Sequence, residues 1–350
     1  MNLTTNTIIK LFIDTIGQDA FKDFYDFNWE ARKIEEKINT EDVGKLSNWW
    51  NEHYSLIADF NLTEKEFLGP KENRKCRFCG RSEPEVKFRK IAHAIPESIE
   101  NNNLFSNYEC DVCNKKFGDT IESDFSNYLF PGRIASCILG KKGTITYKFN
   151  DNNRIDVQNG KWNITTDNTV KLIEEIDDHT LQFNIKRQPY IPINVYKALV
   201  KMALTVMPEE EIVNFEDTIK WLQNDKNSVE DCFGQTVISR FFPGIEKFPF
   251  IKASLFKRKN DTDITPAYQF LLCFSNYYFQ IVVPCFKKDI HLDGKTFSFR
   301  VFPTPLDYLE TQKSGGLLNF SSHTRICNEE IPIQMHFERK EMSINSGTES

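Results

Sequence analysis

The sequence lacks a surplus of positive charge. Its 44 lysines and arginines face 50 aspartates and glutamates, which leaves a formal net charge of −6 over 350 residues. A protein that binds nucleic acid with its whole surface is usually basic, so this balance argues against that class and leaves only a local basic groove open. The sequence also has no internal repeat and no low-complexity tract, and its 40% hydrophobic and 27% charged residues are typical of globular proteins.

We expect neither a targeting leader nor a membrane span. The opening "MNLTTNTIIKLFIDTIGQDAF" has no basic start, and acids such as Asp14 interrupt its apolar positions, so we expect a cytoplasmic protein. One uncharged run of nineteen residues, Tyr268–Phe286, imitates a span, but Ser275 and Asn276 divide it into two runs rich in aromatic and β-branched residues. This pattern predicts a buried hairpin that ends near Pro284 and no contact with a membrane.

The length predicts several folding units, with an α+β fold overall. Apolar residues at helical spacing predict a helical N-terminal region over residues 1–70, in which one helix starts near Thr40. We expect a small cysteine-containing module over 71–132, a larger strand-rich α+β domain over 133–338 and a flexible tail over 339–350.

Some details of this layout carry expectations about packing. The adjacent Trp49 and Trp50 cannot face the same side of a helix, so we expect one of them to contact another part of the protein. In the 133–338 domain, short strands are predicted in "GTITYKF", "DNNRIDVQNGKWNITTD" and "HTLQFNIK". Two helices are predicted in "NVYKALVKMALTVMPEEEIVNFEDTIKWLQN", with Asn194 as the cap of the first helix and with Lys197 and Lys201 on its solvent-facing side.

Four of the nine cysteines form two pairs with identical spacing, Cys76 with Cys79 and Cys110 with Cys113. Two intervening residues let one tight turn direct two thiolates at one ion, and two such turns complete the tetrahedral shell that Zn²⁺ prefers. Four sulfur ligands leave no open position, so this pattern predicts a structural zinc site. The remaining cysteines are scattered and are expected to be small reduced core residues: Cys137, Cys232, Cys273, Cys285 and Cys327.

A basic stretch surrounds the first cysteine pair. Between Lys71 and Ile91, eight lysines and arginines face three glutamates, and eight minus three gives a local charge of +5. Such a stretch is either a solvated surface or a contact for nucleic-acid phosphates.

The thirty residues between the two cysteine pairs contain more than the hairpin that a plain zinc ribbon needs. The segment "VKFRKIAHAIPE" alternates like a strand that ends at His93 and is stopped by Pro96. After the second pair, Phe117, Ile121 and Phe125 recur at helical spacing. We therefore expect a histidine at a strand end, held over the first turn of a helix, where backbone amides and the helix dipole attract an anion such as phosphate.

These residues resemble the HNH endonucleases of the ββα-metal fold in their zinc-stapled form. The resemblance covers roughly residues 74–126 and rests on "CRFC", "AHAIPE", a run of three asparagines and "CDVCNKKFG" continuing to "IE", in the order that the family has. It implies metal-dependent hydrolysis of phosphodiester bonds, with double-stranded DNA as the expected nucleic acid.

The resemblance also implies roles for individual residues. His93 matches the general base that activates a water, and Asn114 matches the residue that helps to hold a catalytic Mg²⁺ or Mn²⁺ ion. One residue of the run Asn101–Asn103 matches the position that orients the histidine loop. Gly118 and Glu122 match a subgroup in which a glycine and an acid follow the last cysteine.

The sequence departs from the family pattern at Ala92. Many members have an acidic ligand of the catalytic ion at this position, immediately before the histidine. The ion would here depend on Asn114, a substrate phosphate, waters and an acid from elsewhere, for which Glu97, Glu109 and Asp111 are near in sequence.

Two alternatives stay open. In the first alternative to a nuclease, the cysteine module is a zinc-stabilised element that binds nucleic acid without cutting it, as Ala92 favours. In the second, it is a protein-interaction element of a regulator. The 133–338 domain is larger than cleavage needs, so we expect it to recognise DNA features, a regulatory ligand or a partner protein. Bacterial defence nucleases have a similar arrangement, which suggests anti-phage defence or restriction, and a paired cut in duplex DNA would favour a homodimer.

Overall fold

The computed structural model describes residues 40–138, 145–158, 161–167, 173–224, 235–242, 248–261, 264–292, 297–303 and 314–337. The predicted helix before Thr40 and the predicted tail over 339–350 lie outside these residues.

The described residues form a mixed α+β fold with more strand than helix, which confirms the predicted fold class. Its α-helices are α1 (Thr40–His53), α2 (Asp111–Asp119), α3 (Ile121–Tyr128), α4 (Phe130–Ala135), α5 (Pro192–Thr205), α6 (Glu209–Ile212), α7 (Glu216–Gln223) and α8 (Phe286–Asp289). Its strands are β1 (Tyr54–Asn61), β2 (Glu66–Leu68), β3 (Ala92–His93), β4 (Leu104–Ser106), β5 (Thr146–Lys148), β6 (Arg154–Gln158), β7 (Lys161–Thr165), β8 (Glu174–Asp177), β9 (Thr180–Lys186), β10 (Thr236–Phe241), β11 (Phe248–Arg258), β12 (Tyr268–Ser275), β13 (Tyr277–Val282), β14 (Ser314–Asn319) and β15 (Glu330–His336).

The largest element is an antiparallel sheet of six strands in the order β1, β11, β12, β13, β10, β14. Its two central strands, β12 and β13, form the hairpin predicted from the uncharged run, and every residue of β12 is buried. Ser275 has a positive φ of 48°, so the chain turns at the position where the two runs were divided. Within the described part of the chain, the helices are too short or too polar to cross a bilayer.

The edge strand β1 contradicts the helical prediction for residues 54–61. Tyr54 pairs with Arg258 and Asn61 with Lys252. The backbone hydrogen bonds of these residues are therefore made with β11, and not within a helix as the periodicity predicted. The preceding helix α1 covers Thr40–His53, and whether Thr40 is its first residue stays a prediction, because residues 1–39 lie outside the described part of the chain. Its two tryptophans diverge as expected, since Trp50 is fully buried and packs against strand and loop aromatics, whereas Trp49 stacks on a histidine.

Helix α5 is buried on all sides and packs between the cysteine module and the large sheet. The prediction that Lys197 and Lys201 face solvent is wrong, since 7% and 0% of these residues are exposed. Asn194 is not the cap, because the helix begins at Pro192 after Ile191, and the Asn194 amide donates instead to Asp124 at 2.6 Å. A helix buried all round needs internal partners for its polar side chains, and that requirement explains both corrections.

Two smaller sheets confirm the strands predicted after residue 133. One has the order β5, β6, β7, and the other has the order β15, β9, β8. The main hydrophobic core continues from the cysteine module through α5 into the six-stranded sheet, with residues such as Phe117, Leu199 and Phe279 in one cluster. The module therefore shares its core with the larger domain.

Candidate functional site

The four paired cysteines meet at one point, as their spacing predicts. Their sulfur atoms all lie within 4.8 Å of one another, and Cys79 Sγ lies 3.8 Å from Cys110 Sγ. Four thiolates at Zn–S bonds of about 2.3 Å in a tetrahedron are about 3.8 Å apart, so the donor set fits zinc. Among the described residues this is the only group of three or more histidine, cysteine or acidic side chains with metal-ligand geometry.

The surroundings of the sulfur atoms also favour a metal site. A hydrogen bond from Cys113 lowers the pKa of the Cys76 thiol to about 5, against the opposing effect of burial. Gln223, at the end of α7, donates its side-chain amide to Cys113 Sγ at 3.4 Å. Donors of this kind hold metal-bound thiolates in place. Among the scattered cysteines, Cys273 and Cys285 are buried as expected, Cys327 is exposed contrary to expectation, and Cys232 lies outside the described residues.

The chain between and after the cysteine pairs folds as strand, strand and helix. Strands β3 and β4 are antiparallel, with Ala92 opposite Ser106 and His93 opposite Phe105, and α2 follows directly at the second cysteine pair. The predicted strand over "VKFRKIAH" is mostly wrong, since only its last two residues are in a strand. Val86 and Phe88 are nevertheless buried and Lys87 is exposed, so the alternating pattern reflects packing on the module core without strand pairing.

His93 is half-buried at the end of β3. Its Nδ1 lies 3.1 Å from the backbone carbonyl oxygen of Asn101, and its ring centroid lies 4.9 Å from that of Phe105. A carbonyl oxygen only accepts hydrogen bonds, so in the neutral ring the proton is on Nδ1 and the lone pair is on Nε2. This tautomer is the one that a base acting through Nε2 requires.

The three asparagines Asn101–Asn103 differ strongly in burial and in hydrogen bonding. The sequence alone could not show which of them orients the histidine loop. Asn101 is fully buried, and its amide nitrogen donates to the carbonyl oxygens of Ile95 at 2.5 Å and Leu104 at 2.9 Å. Its side-chain oxygen accepts from the backbone N–H groups of Asn103 and Leu104. These four bonds close the loop between β3 and β4 and fix the carbonyl that contacts His93. Asn102 is exposed.

Asn114 lies four residues into α2, and its backbone N–H donates to the Cys110 carbonyl at 2.9 Å. The N-cap of this helix is Cys110, so the simple interpretation of Asn114 as a cap does not apply. The predicted apolar stripe of Phe117, Ile121 and Phe125 is buried as expected. The stripe does not belong to one continuous helix, because the chain breaks between α2 and α3 at Thr120 (φ −121°, ψ −92°).

The acidic residues considered as ligands of a catalytic ion have other partners. Glu109 is buried and its Oε2 lies 2.8 Å from the Lys201 ammonium. Asp111 accepts a hydrogen bond from the backbone N–H of Lys90 at 2.9 Å. Ala92 itself is fully buried, so its position in β3 belongs to the module core.

The basic stretch separates into one buried arginine and several exposed side chains. The Arg77 guanidinium donates to three carbonyl oxygens at the C-terminal end of α5: Leu204 at 2.6 Å, Thr205 at 3.0 Å and Met207 at 2.9 Å. Its role is therefore internal. The basic side chains that remain exposed are Lys71, Lys75, Arg81, Lys87, Arg89 and Lys90.

A short aromatic row beside His93 was not predicted from the sequence. Phe67 stacks on Phe105 with centroids 5.0 Å apart, and the Lys65 ammonium lies 5.2 Å from the Phe105 ring. Phe67 is 39% exposed, and Lys65 is exposed. The row forms because β2 pairs in parallel with β4 across the intervening module, and no local pattern signals such a pairing.

Comparison with known protein families gives one result that agrees with this geometry. A family model described as HNH endonuclease matches residues 76–130, which include the four paired cysteines, His93 and Asn114 and end before α5. Comparisons with curated proteins and with solved structures give no match. Residues 76–130 are therefore similar to the HNH endonuclease family, and their four-cysteine cluster is consistent with its zinc-stapled form.

Proposed function

We propose that the protein is a metal-dependent endonuclease that hydrolyses phosphodiester bonds of DNA, with His93 as the general base. The hydrogen bond between His93 Nδ1 and the Asn101 carbonyl carries this proposal, since it selects the tautomer with the lone pair on Nε2. His93 Nε2 takes a proton from a water, and the resulting hydroxide attacks the phosphorus. The bond from phosphorus to the leaving oxygen then breaks, and that oxygen takes a proton from solvent.

The structural zinc and the catalytic ion have different donor sets. Cys76, Cys79, Cys110 and Cys113 fit zinc, which would join the turn of the first cysteine pair to the start of α2. Asn114 offers one side-chain oxygen, which fits Mg²⁺ or Mn²⁺ only as an ion that keeps several waters and shares a substrate phosphate. When bound, that ion supplies stabilisation of the negative charge on the phosphate and on the leaving oxygen.

Exposed cations and an aromatic ring beside His93 support a nucleic acid as the substrate. The exposed Lys87 and Lys90 precede β3 in the sequence. Lys65 lies over the ring of Phe105, which contacts His93. Ammonium groups bind phosphates, and the exposed ring of Phe67 can stack on a base. The segment from Lys71 to Ile91, which directly precedes β3, carries a local charge of +5 in a protein whose net charge is −6.

The decisive experiment is cleavage of plasmid DNA by the purified protein in Mg²⁺ or Mn²⁺, with His93→Ala as the test variant. The expected result is loss of at least about 100-fold in the cleavage rate, the usual contribution of a general base, while about one zinc per chain remains bound. The matched control is His179→Ala, which removes an exposed histidine of the larger domain. Equal cleavage by wild type and His93→Ala would refute the role of His93.

A second function is favoured by the burial of Ala92 and by the ion pair of Glu109, which leave the catalytic ion with few protein ligands. Under this alternative, the module binds nucleic acid through its exposed lysines without cutting it. Its signature is affinity that falls steeply with salt, while wild type and His93→Ala are equally inert.

For the nuclease itself, we propose a role in anti-phage defence or restriction in the cytoplasm. We also propose that a regulatory ligand or partner acts on the larger domain and that a homodimer cuts both strands.

A further inference from the structure

A buried ammonium group lies inside the nuclease module although its residue is far outside the matched segment. Lys201 is on α5, and 0% of it is exposed. Its Nζ lies 2.8 Å from Glu109 Oε2 and 2.9 Å from Glu122 Oε1, and it also donates to the backbone carbonyl oxygen of His93 at 3.4 Å. One side chain of the larger domain thus contacts three separate pieces of the module.

Two aromatic rings of the module also lie near this ammonium. The rings of Phe78 and Phe117 each lie 6.0 Å from Lys201 Nζ. Phe78 is between the first two cysteines, and Phe117 is on the buried face of α2. A cation enclosed by aromatic faces and two carboxylates is stabilised only while these groups keep their places.

The charges in this cluster depend on one another. Burial alone would lower the pKa of Lys201, but the two carboxylates outweigh it and hold the pKa above its usual range. The Glu109 side chain is 0% exposed, so no water can replace Lys201 as the counter-charge of its carboxylate.

We infer that Lys201 is a positioning residue of the nuclease site, which sets the place of the His93 backbone relative to α2 and α3. This inference rests on the proposed function, because it assigns to Lys201 the task of aligning the proposed base. The connection between Lys201 and His93 is direct. The Lys201 ammonium donates to the backbone carbonyl of His93, and the ring of His93 is held through Nδ1 by the Asn101 carbonyl. Both contacts together fix the backbone and the ring of one residue.

The larger domain is therefore a part of the nuclease site as well as a candidate recognition unit. The family-matched segment contains the two carboxylates and the histidine, but it does not contain the cation that joins them. A module taken alone would carry a buried carboxylate without its partner. We expect any movement of α5 to be transmitted directly to the backbone of His93.

The test uses the full chain and a variant that removes the cluster without leaving unpaired charge. Lys201→Met alone leaves two carboxylates facing each other and is expected to unfold the module. The triple variant K201M/E109Q/E122Q removes all three charges at nearly constant side-chain volume. The matched control is Lys197→Met, which removes a buried lysine one turn earlier on α5 that contacts the Asn224 carbonyl and the Trp221 ring, outside the module.

We expect the triple variant to keep about one zinc per chain and a KM within about twofold of wild type, while kcat falls by about 10- to 100-fold, the usual effect of losing a group that orients a reacting side chain. Lys197→Met is expected to keep kcat within about twofold. Nitrogen NMR of ¹⁵N-histidine-labelled protein provides a readout independent of cleavage: the ring signals of His93 shift in the triple variant and stay in place in Lys197→Met.

The outcomes separate the two proposals. A triple variant with native zinc content, unchanged kcat and unchanged His93 signals overturns the role of Lys201 while leaving the nuclease intact. If wild type cleaves no nucleic acid under any metal condition, the proposed function fails, and the NMR comparison alone then decides whether Lys201 positions His93. A fall in kcat of equal size in Lys197→Met would show general loosening of α5 and would also overturn the inference.

Discussion

Arg77→Met is the substitution that most directly tests how the cysteine module is attached to the larger domain. The Arg77 side chain is 3% exposed, and its guanidinium donates to three carbonyl oxygens at the end of α5. It also lies 3.8 Å from the centroid of the Tyr108 ring. Methionine keeps the volume of the aliphatic stem and removes every donor, so the change isolates the polar contacts.

The magnitude follows from the number of carbonyl groups that lose a donor. Hydrogen bonds to a charged group contribute about 1.5–3 kcal/mol each, and they are not additive when one group makes several. Breaking a buried charged interaction on one side costs about 3–5 kcal/mol. We expect Arg77→Met to lower the free energy of unfolding by this amount, since the surface contact with the 62% exposed Glu209 side chain contributes little.

The assay is urea unfolding followed by tryptophan fluorescence, with zinc release followed in parallel by a chelating dye. Zinc release is expected to begin at a lower urea concentration in the variant, because Arg77 directly follows the ligand Cys76. Lys75→Ala is the matched control, since it removes an exposed cation of the same stretch and is expected to change stability by less than about 0.5 kcal/mol. An Arg77→Met protein within about 1 kcal/mol of wild type would refute the reasoning.

Other predictions concern the metal, the packing and the effect of pH. Cys79→Ser is expected to abolish stoichiometric zinc binding and to unfold the module, whereas Cys327→Ser, at an exposed cysteine, keeps one zinc by metal analysis. Gly132→Ala places a methyl group 1.5 Å from the hydroxyl of the half-buried Tyr277 on β13 and should cost about 1–3 kcal/mol in thermal unfolding, whereas Gly118→Ala, in open space on α2, should add about 0.5–1 kcal/mol. Burial raises the pKa of Asp289 to about 6 from 3.8, so the folded state keeps a proton that the unfolded state releases. Stability from this group is therefore lost as the pH rises from about 4 to about 6, by up to about 1.4 kcal/mol per pH unit, and a pH series of urea titrations should show that Asp289→Asn lacks this slope.

The parts of the structure that depend on local pattern could be predicted from the sequence. The cysteine spacing predicted the four-sulfur cluster, and the interrupted apolar run predicted the β12–β13 hairpin. The apolar stripe after the second cysteine pair also lies in the core as expected. In each case the signal and the residues that satisfy it are neighbours in the chain.

The parts that depend on distant partners could not be predicted. Lys201 and Arg77 look like surface charges in the sequence, because the carboxylates and carbonyl groups that allow their burial are on other segments. Strand β1 has no periodicity that separates it from the preceding helix, and its hydrogen bonds come from β11. Asn101 could not be distinguished from its two neighbours, because its role is set by backbone groups of the folded loop.

The pairing of β1 with β11 also sets the order in which this protein can be built on the ribosome. Tyr54 can pair with Arg258 only after the ribosome has added about 200 further residues. This takes about 10–40 s at 5–20 residues per second. The paired cysteines and His93 are synthesised during this interval, before helix α5, which carries the counter-charge of Glu109 and Glu122. A nascent or prematurely terminated chain would therefore lack part of the environment of His93, which is complete only when the six-stranded sheet has formed.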